Sequence, residues 1–180
     1  MSALLPFDSF GWVLRLALAQ GVIVFFLLMN VVSFSLPHAG DFKPFFLLMA
    51  VYYWAIYRPT MMPYAYTFVL GIILDLLTHM PVGMNALLLL AIQALVRKSR
   101  LFLMGQPYIV VWLGFAIVAL CNALGLCLLL SLALFELAPM SAFIQMLVAT
   151  SLSILLFPVI SLLLQVVHRA LPVAPNAMRV

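Results

Sequence analysis

Asp75 is the side chain in this sequence with the clearest capacity for chemistry, because it interrupts an otherwise apolar stretch. A buried carboxylate requires hydrogen-bond partners, and at the centre of a membrane it costs about 2.5 to 3.5 kcal/mol. Two partners lie close in the sequence: His79, one helical turn later on the same face, and Asn85, beyond a short turn. Three roles follow for Asp75: a clamp that joins two helices, a contact for a partner's helix, or proton and substrate chemistry.

The rest of the sequence contains no constellation typical of an enzyme. The motifs H-E-x-x-H and G-x-S-x-G, a glycine-rich phosphate loop and closely spaced carboxylates are all missing. The histidines His38, His79 and His168 are far apart, and Asp75 with His79 supplies at most two local metal ligands. The sequence therefore predicts a protein that is not an enzyme and that has no catalytic residues, no metal and no other cofactor.

The elements that must position these residues are membrane helices. Of the 180 residues, 68% are hydrophobic and 7% charged, and the mean hydropathy is +1.32, far from the composition of soluble domains. The hydrocarbon core of a bilayer takes about 20 residues of helix per crossing. The net charge of +4 is explained by membrane topology, so no nucleic-acid partner is expected.

The apolar runs predict an all-α, polytopic membrane protein with six transmembrane helices in a single domain over residues 1–170, followed by a short cytoplasmic tail at 171–180. Runs two and three are short, and they allow two short crossings or a re-entrant hairpin with Arg58 at its tip. Two crossings are favoured because burying Arg58 without an identifiable partner is costly. The predicted helices cover approximately 16–36, 45–57, 64–78, 84–96, 108–134 and 141–167.

The distribution of basic residues predicts the orientation of these helices. Of eight Lys and Arg residues, seven fall on one side of a bilayer crossed six times, and only Lys43 falls on the other. Because Lys and Arg near the ends of crossings are retained in the cytoplasm, both termini are expected there. The seven residues are Arg15, Arg58, Arg97, Lys98, Arg100, Arg169 and Arg179.

Scattered polar and small residues predict contacts between helices. Single polar residues in apolar helices suit interhelical hydrogen bonds, and small residues four apart allow close helix packing. The polar residues are Gln20, Asn30, Asn122, Gln145, Thr150 and Ser153, and the small pairs are Ala17 with Gly21, Ala119 with Ala123, Cys121 with Gly125, and Ala149 with Ser153.

An ordered set of short motifs runs from Trp54 to Phe115. In order, they are Tyr57-Arg58-Pro59 with a later Pro63, Gly71 ahead of Leu74-Asp75-Leu76-Leu77, Pro81-x-Gly83-x-x-Ala86-Leu87, and a basic turn that ends in Arg100-x-Phe102-Leu103-x-Gly105-Gln106. With these motifs the chain resembles the MreD family of rod shape-determining proteins. It departs from the usual family pattern at Thr78-His79, where a small or glycine-containing turn is common. The structural or partner-binding candidates are Arg58, Pro59, Gly71, Asp75, Pro81, Gly83 and Asn85.

The resemblance implies a six-helix protein of the bacterial inner membrane that acts as a scaffold in cell elongation. Its implied partners are MreC and, within the same complex, RodA, the penicillin-binding transpeptidase and MreB with RodZ, all in support of peptidoglycan synthesis and rod shape. The family also looks like a distant fold relative of the substrate-binding membrane subunits of energy-coupling-factor importers. On that alternative, Asp75 and Asn85 would line a pocket for a vitamin-type molecule.

Overall fold

The computed structural model describes the backbone of residues 7–32, 34–36, 40–134 and 140–170, and the side chains of residues 17–32, 43–133, 140 and 143–169. Six α-helices make up almost all of this part of the chain, together with one pair of three-residue strands. In chain order the elements are α1 (Phe7–Val31), β1 (Phe34–Leu36), β2 (Gly40–Phe42), α2 (Phe46–Tyr57), a 3-10 turn (Pro59–Met61), α3 (Tyr64–Thr78), α4 (Met84–Met104), α5 (Tyr108–Leu134) and α6 (Met140–Ala170).

α2 lies at the centre of the bundle and packs against α1, α4, α5 and α6. All of its residues from Phe46 to Ile56 are buried. A helix that is apolar all round is expected where protein surrounds it on every side. With 12 residues, α2 is about 18 Å long, so it is shorter than the hydrocarbon core.

The beginning of α2 is held by side chains from two other helices. The first N–H groups of an α-helix have no partner within the helix. Here Asn30 Oδ1 of α1 accepts the Phe46 N–H at 2.9 Å, and Ser153 Oγ of α6 accepts the Phe45 N–H at 2.8 Å. The predicted interhelical hydrogen bonding is confirmed for these two polar residues. Thr150, by contrast, donates to Met146 O of its own helix at 2.7 Å.

Among the described residues, two helices are long and apolar enough to cross a membrane: α5 over Tyr108–Ala133 and α6 over Phe143–Arg169. α6 contains Pro158, which lacks the N–H that would bond the carbonyl of Ile154 four residues earlier. The indole N–H of Trp112 in α5 donates to that Ile154 carbonyl at 2.9 Å. The two longest helices are thus joined at the point where proline frees a backbone acceptor.

Trp112→Phe is expected to lower the free energy of unfolding by about 1 to 3 kcal/mol, because it leaves the half-buried Ile154 carbonyl without its donor. In a Pro158→Ala background, residue 158 has an N–H that can bond the same carbonyl, so Trp112→Phe should cost less there. The free energies of unfolding in detergent of the original protein, the two single variants and the double variant measure this coupling. An equal cost in both backgrounds would contradict the proposed compensation.

The first helix is shorter than predicted at its carboxyl end. The expected crossing ran from Leu16 to Leu36, whereas α1 begins at Phe7 and ends at Val31, and residues 34–36 pair antiparallel with residues 40–42. The side chain of Asn30 in the last turn is engaged with α2, and the β-branched and aromatic residues that follow favour extended backbone. Hydrophobicity alone does not separate a helix from a short strand.

α4 is longer than predicted. The expected helix ended at Val96, yet it continues to Met104 and ends at Gly105, the C-cap residue. Arg97, Lys98 and Arg100 therefore lie within the helix and not in a turn after it. Arg, Lys, Leu and Met are good helix formers, so charge did not end the helix, and Gly105 with Pro107 did.

The other helices lie close to their predicted bounds. α3 and α5 begin and end at the predicted residues, α2 begins one residue later than predicted, and α6 is longer at both ends than the predicted 141–167. The predicted tail at 171–180 lies outside the described residues, as does His38.

Candidate functional site on the α3–α4 hairpin

The Asp75 carboxylate binds the beginning of α4. It is fully buried; its Oδ2 accepts the Gly83 N–H at 2.8 Å, and its Oδ1 accepts both the backbone N–H and the side-chain Nδ2–H of Asn85, at 3.0 and 2.8 Å. These backbone N–H groups belong to the N-terminus of α4, where the helix dipole also favours a negative charge. We call this group of Asp75, Gly83 and Asn85 the carboxylate clamp.

The turn between α3 and α4 is shaped by two residues with positive φ. His79 ends α3 in the left-handed conformation with φ 56°. The backbone carbonyl of Asp75 accepts the N–H groups of His79 and Met80, as in a glycine-type helix end. Gly83 has φ 102°. Asp75 thus holds the end of α3 through its backbone and the beginning of α4 through its side chain.

Gly71 brings the two helices of the hairpin into backbone contact. A Cβ atom at residue 71 would lie 2.3 Å from Ala86 Cα and 2.8 Å from Ala86 N. Any side chain larger than hydrogen therefore forces α3 and α4 apart. This close approach, one turn before Asp75, allows the short aspartate side chain to reach the backbone of α4.

A second group of contacts holds the other end of the hairpin, at the loop between α2 and α3. One guanidinium nitrogen of Arg97 in α4 donates to the carbonyls of Pro59, at 2.7 Å, and Met62. The same guanidinium lies 4.3 Å from the centroid of the Tyr64 ring, a cation–π contact. Gln93 Nε2 also donates to Met62 O, at 2.6 Å. We call the contacts of Arg97 and Gln93 with this loop the loop clamp.

α1 completes the loop clamp, since Gln20 Nε2 donates to Met61 O at 3.1 Å. The loop's carbonyl groups are therefore bound by side chains from both α1 and α4. In a membrane protein, irregular backbone is tolerated where protein satisfies its polar groups. The loop clamp provides that satisfaction for a loop that contains two prolines.

Arg58 has a partner that the sequence analysis did not identify. Its Nε donates to His168 Nε2 in α6 at 3.2 Å, and His168 Nδ1 lies 3.4 Å from the Tyr53 hydroxyl. The premise that Arg58 would lack an identifiable partner was wrong, because a histidine 110 residues away supplies one. Arg58 is also half-buried, as expected for an arginine near the end of an apolar helix.

The structure places the seven candidate residues in two groups. Arg58 and Pro59 lie in the loop before α3. The other five lie on α3, on α4 or in the turn that joins these two helices. Gln93 was not among the predicted residues, and Arg97 was predicted only to fix the orientation of the helices in the membrane. An uncharged polar residue in the apolar run of α4 was the available signal for Gln93. The five residues near the turn are Gly71, Asp75, Pro81, Gly83 and Asn85.

The small-residue pairs differ in whether another helix already covers them. Ala119, Ala123, Ala149 and Ser153 are buried within the bundle. A Cβ atom on Gly125 would meet Leu88 of α4 at 2.6 Å. On α1, both Ala17 and Gly21 are exposed, and a Cβ atom on Gly21 would have nothing within 4 Å. These two line a shallow groove of about 340 Å³ together with Leu18, Val22 and Phe25.

The sequence pattern of the family described as "rod shape-determining protein MreD" matches residues 13–167, most of the chain. Neither a curated protein nor a solved structure gives a significant match. The matched family consists of membrane proteins that act in the determination of rod shape and is not known for catalysis. The chain therefore belongs to the MreD family.

Proposed function

We propose that this protein is a non-enzymatic scaffold of the rod-elongation complex in the bacterial inner membrane, where it binds MreC and supports peptidoglycan synthesis. RodA, the penicillin-binding transpeptidase and MreB with RodZ are the further partners within this complex. The proposed topology has six crossings with both termini in the cytoplasm. In this proposal α2 and α3 are short crossings, and the larger helices around α2 separate it from lipid.

The observation that carries the proposal is that the Asp75 side chain binds other residues of this protein. Its carboxylate is fully buried and accepts three hydrogen bonds from the beginning of α4. A carboxylate whose oxygens are so engaged is suited to hold two helices and not to bind a soluble substrate. This favours the role of a clamp joining α3 and α4 and gives no support to the importer alternative, which needs Asp75 in a pocket.

The groove on α1 is the surface that we propose for the transmembrane helix of MreC. Its small residues Ala17 and Gly21 allow a second helix to approach the backbone closely. The flanking apolar side chains Leu18 and Phe25 are 59% and 53% exposed, so they are available to pack against that helix. The pairs Ala119 with Ala123 and Ala149 with Ser153 are already covered by this chain's own helices. In the remaining pair, Leu88 of α4 lies against Gly125, although Cys121 is exposed.

Gly21→Leu is expected to weaken co-purification with MreC on the order of tenfold, because a leucine side chain blocks close approach of a second helix. Ala94→Leu is the matched control, since Ala94 is also exposed but lies on α4. The amount of MreC retained on the tagged protein from detergent-solubilised membranes measures the effect. Equal retention by both variants would exclude this surface.

Depletion of the protein in rod-shaped cells tests the function itself. Loss of a scaffold for elongation should give rounded, osmotically fragile cells of increased width. An importer would instead give a nutritional phenotype that an added vitamin repairs. Unchanged width together with repair by a vitamin would contradict the proposed function.

A further inference from the structure

A cleft of about 510 Å³ lies between α2, α5 and α6. It follows α6 from Phe157 to His168, which is about 16 Å at the rise of an α-helix. Its side chains change along this path from apolar to polar and cationic. The apolar end is lined by Val111 and Phe157, and the polar end by Tyr53, Tyr57, His168 and Arg169.

The cleft opens at the outer surface of the two helices that are long enough to cross a membrane. Leu162 of α6 and Tyr108 of α5 line it, and they are 62% and 48% exposed. Tyr108 Oη lies 2.6 Å from Ser161 Oγ, and Ser161 in turn donates to Pro158 O. An occupant can therefore enter from the bilayer, past apolar side chains, without crossing the interior of the bundle.

The polar end of the cleft carries positive charge. Arg169 lines it, and Arg58 lies behind His168 and donates to its Nε2. Both arginines are within electrostatic range of Tyr53. The lining contains no carboxylate. Among the residues whose side chains the structure describes, the one carboxylate is Asp75, which binds α4 at the far end of α3.

The hydrogen bond from Arg58 also fixes which proton donors face the cleft. Because Arg58 donates to His168 Nε2, the ring hydrogen of neutral His168 must be on Nδ1. Nδ1–H then points to the Tyr53 oxygen 3.4 Å away, and the Tyr53 hydroxyl hydrogen is left to donate elsewhere. The polar end thus presents donors and cations, which is the chemistry that recognises an anionic oxygen group.

We propose that this cleft binds an anionic phospholipid. The phosphate lies at the polar end, against Arg169 and the Tyr53 hydroxyl, with the positive charge of Arg58 behind His168. One acyl chain lies along Val111, Phe157 and Leu162. Basic sites between transmembrane helices are suited to anionic headgroups. The apolar half of this cleft fits an acyl chain, which a lipid has and a soluble anion lacks. This inference does not depend on the binding of MreC.

Binding of phosphatidylglycerol and of phosphatidylcholine with the same acyl chains, measured by native mass spectrometry on the full chain in detergent, tests the proposal. Phosphatidylglycerol should bind more tightly than phosphatidylcholine. Arg169→Gln should weaken its binding about fivefold, the effect of one basic residue near a lipid surface. Lys98→Gln, which removes the same charge from an exposed site on α4, should leave the affinity unchanged.

A second pair of variants tests the acyl-chain half of the cleft. Leu162→Trp fills the opening, whereas Leu163→Trp places the same side chain at an exposed neighbouring position that does not line the cleft. Only the first should reduce the binding of phosphatidylglycerol. Equal binding of the two lipids, equal effects within either pair of variants, or displacement of the lipid by millimolar inorganic phosphate would each overturn the proposal.

Discussion

Gly71→Ala is expected to lower the free energy of unfolding by about 3 kcal/mol or more, which is typical of a steric clash in a protein core. The added Cβ atom would lie 2.3 Å from Ala86 Cα, so backbone atoms, and not a movable side chain, must give way. The displacement of α3 from α4 also draws Asp75 away from the Gly83 and Asn85 N–H groups. Thermal unfolding and size-exclusion profiles of the purified protein in detergent measure the effect.

Gly21→Ala is the matched control for this substitution. Gly21 is likewise a glycine within a helix, but its added Cβ atom meets nothing within 4 Å. Because alanine is the better helix former by about 1 kcal/mol, the same exchange should be neutral or stabilising there. Ala86→Gly should not rescue Gly71→Ala, since the closest contact is with Ala86 Cα. Full rescue would show that the Ala86 side chain, and not its backbone, limits the approach.

Sequence reasoning was successful where the relevant residues are neighbours in the chain. Proline before the first helical residue marked the beginnings of α3 and α5, because Pro63 and Pro107 cannot continue a preceding helix. The association of Asp75 with Asn85 was also predicted, since only the five residues 79–83 separate α3 from α4. The prediction that His79 partners the Asp75 carboxylate is not matched by the contacts of its two oxygens, which are with Gly83 and Asn85. His79 instead donates its backbone N–H to the Asp75 carbonyl at the end of α3.

The loop clamp was not predicted because its acceptors are backbone carbonyls. Arg97 and Gln93 bind the carbonyls of Pro59 and Met62, and a carbonyl carries no signature in the sequence. In addition, Arg97 was placed in a turn because of its charge. Its contact with the loop depends on its position within α4, which was therefore not predicted. The Arg58–His168 hydrogen bond joins residues 110 positions apart, and periodicity within single helices cannot reveal such a pair.

Helix ends set by tertiary contacts were likewise beyond the sequence pattern. α1 ends near Asn30, whose side chain binds the first turn of α2, and the apolar residues after it form β1. The hydropathy profile is similar for an apolar helix and an apolar strand, so it does not show where one ends and the other begins. α4 shows the opposite case, in which three charged residues continue a helix until Gly105 ends it. In both cases a boundary placed by hydrophobicity differs from one set by hydrogen bonding.

Asp75→Ala is expected to cost about 3 kcal/mol, because it leaves three partly buried donors at the beginning of α4 without an acceptor. The donors are the backbone N–H groups of Gly83 and Asn85 and the Nδ2–H of Asn85. Asn85→Ala removes only one of these hydrogen bonds, so it should cost about 1 kcal/mol. Unfolding of both variants in detergent gives the comparison.

Asp75→Asn should be less harmful than Asp75→Ala, both for stability and for retention of MreC. The asparagine oxygen can keep the position of Oδ1, which accepts both donors of Asn85. Its amide nitrogen then faces the Gly83 N–H, where Oδ2 was the acceptor, so that one hydrogen bond is lost. The favourable interaction of a negative charge with the α4 dipole, typically about 0.3 to 1 kcal/mol, is lost as well. Equal loss in both variants would assign the role of Asp75 to its charge and not to the hydrogen bonds that join α3 to α4.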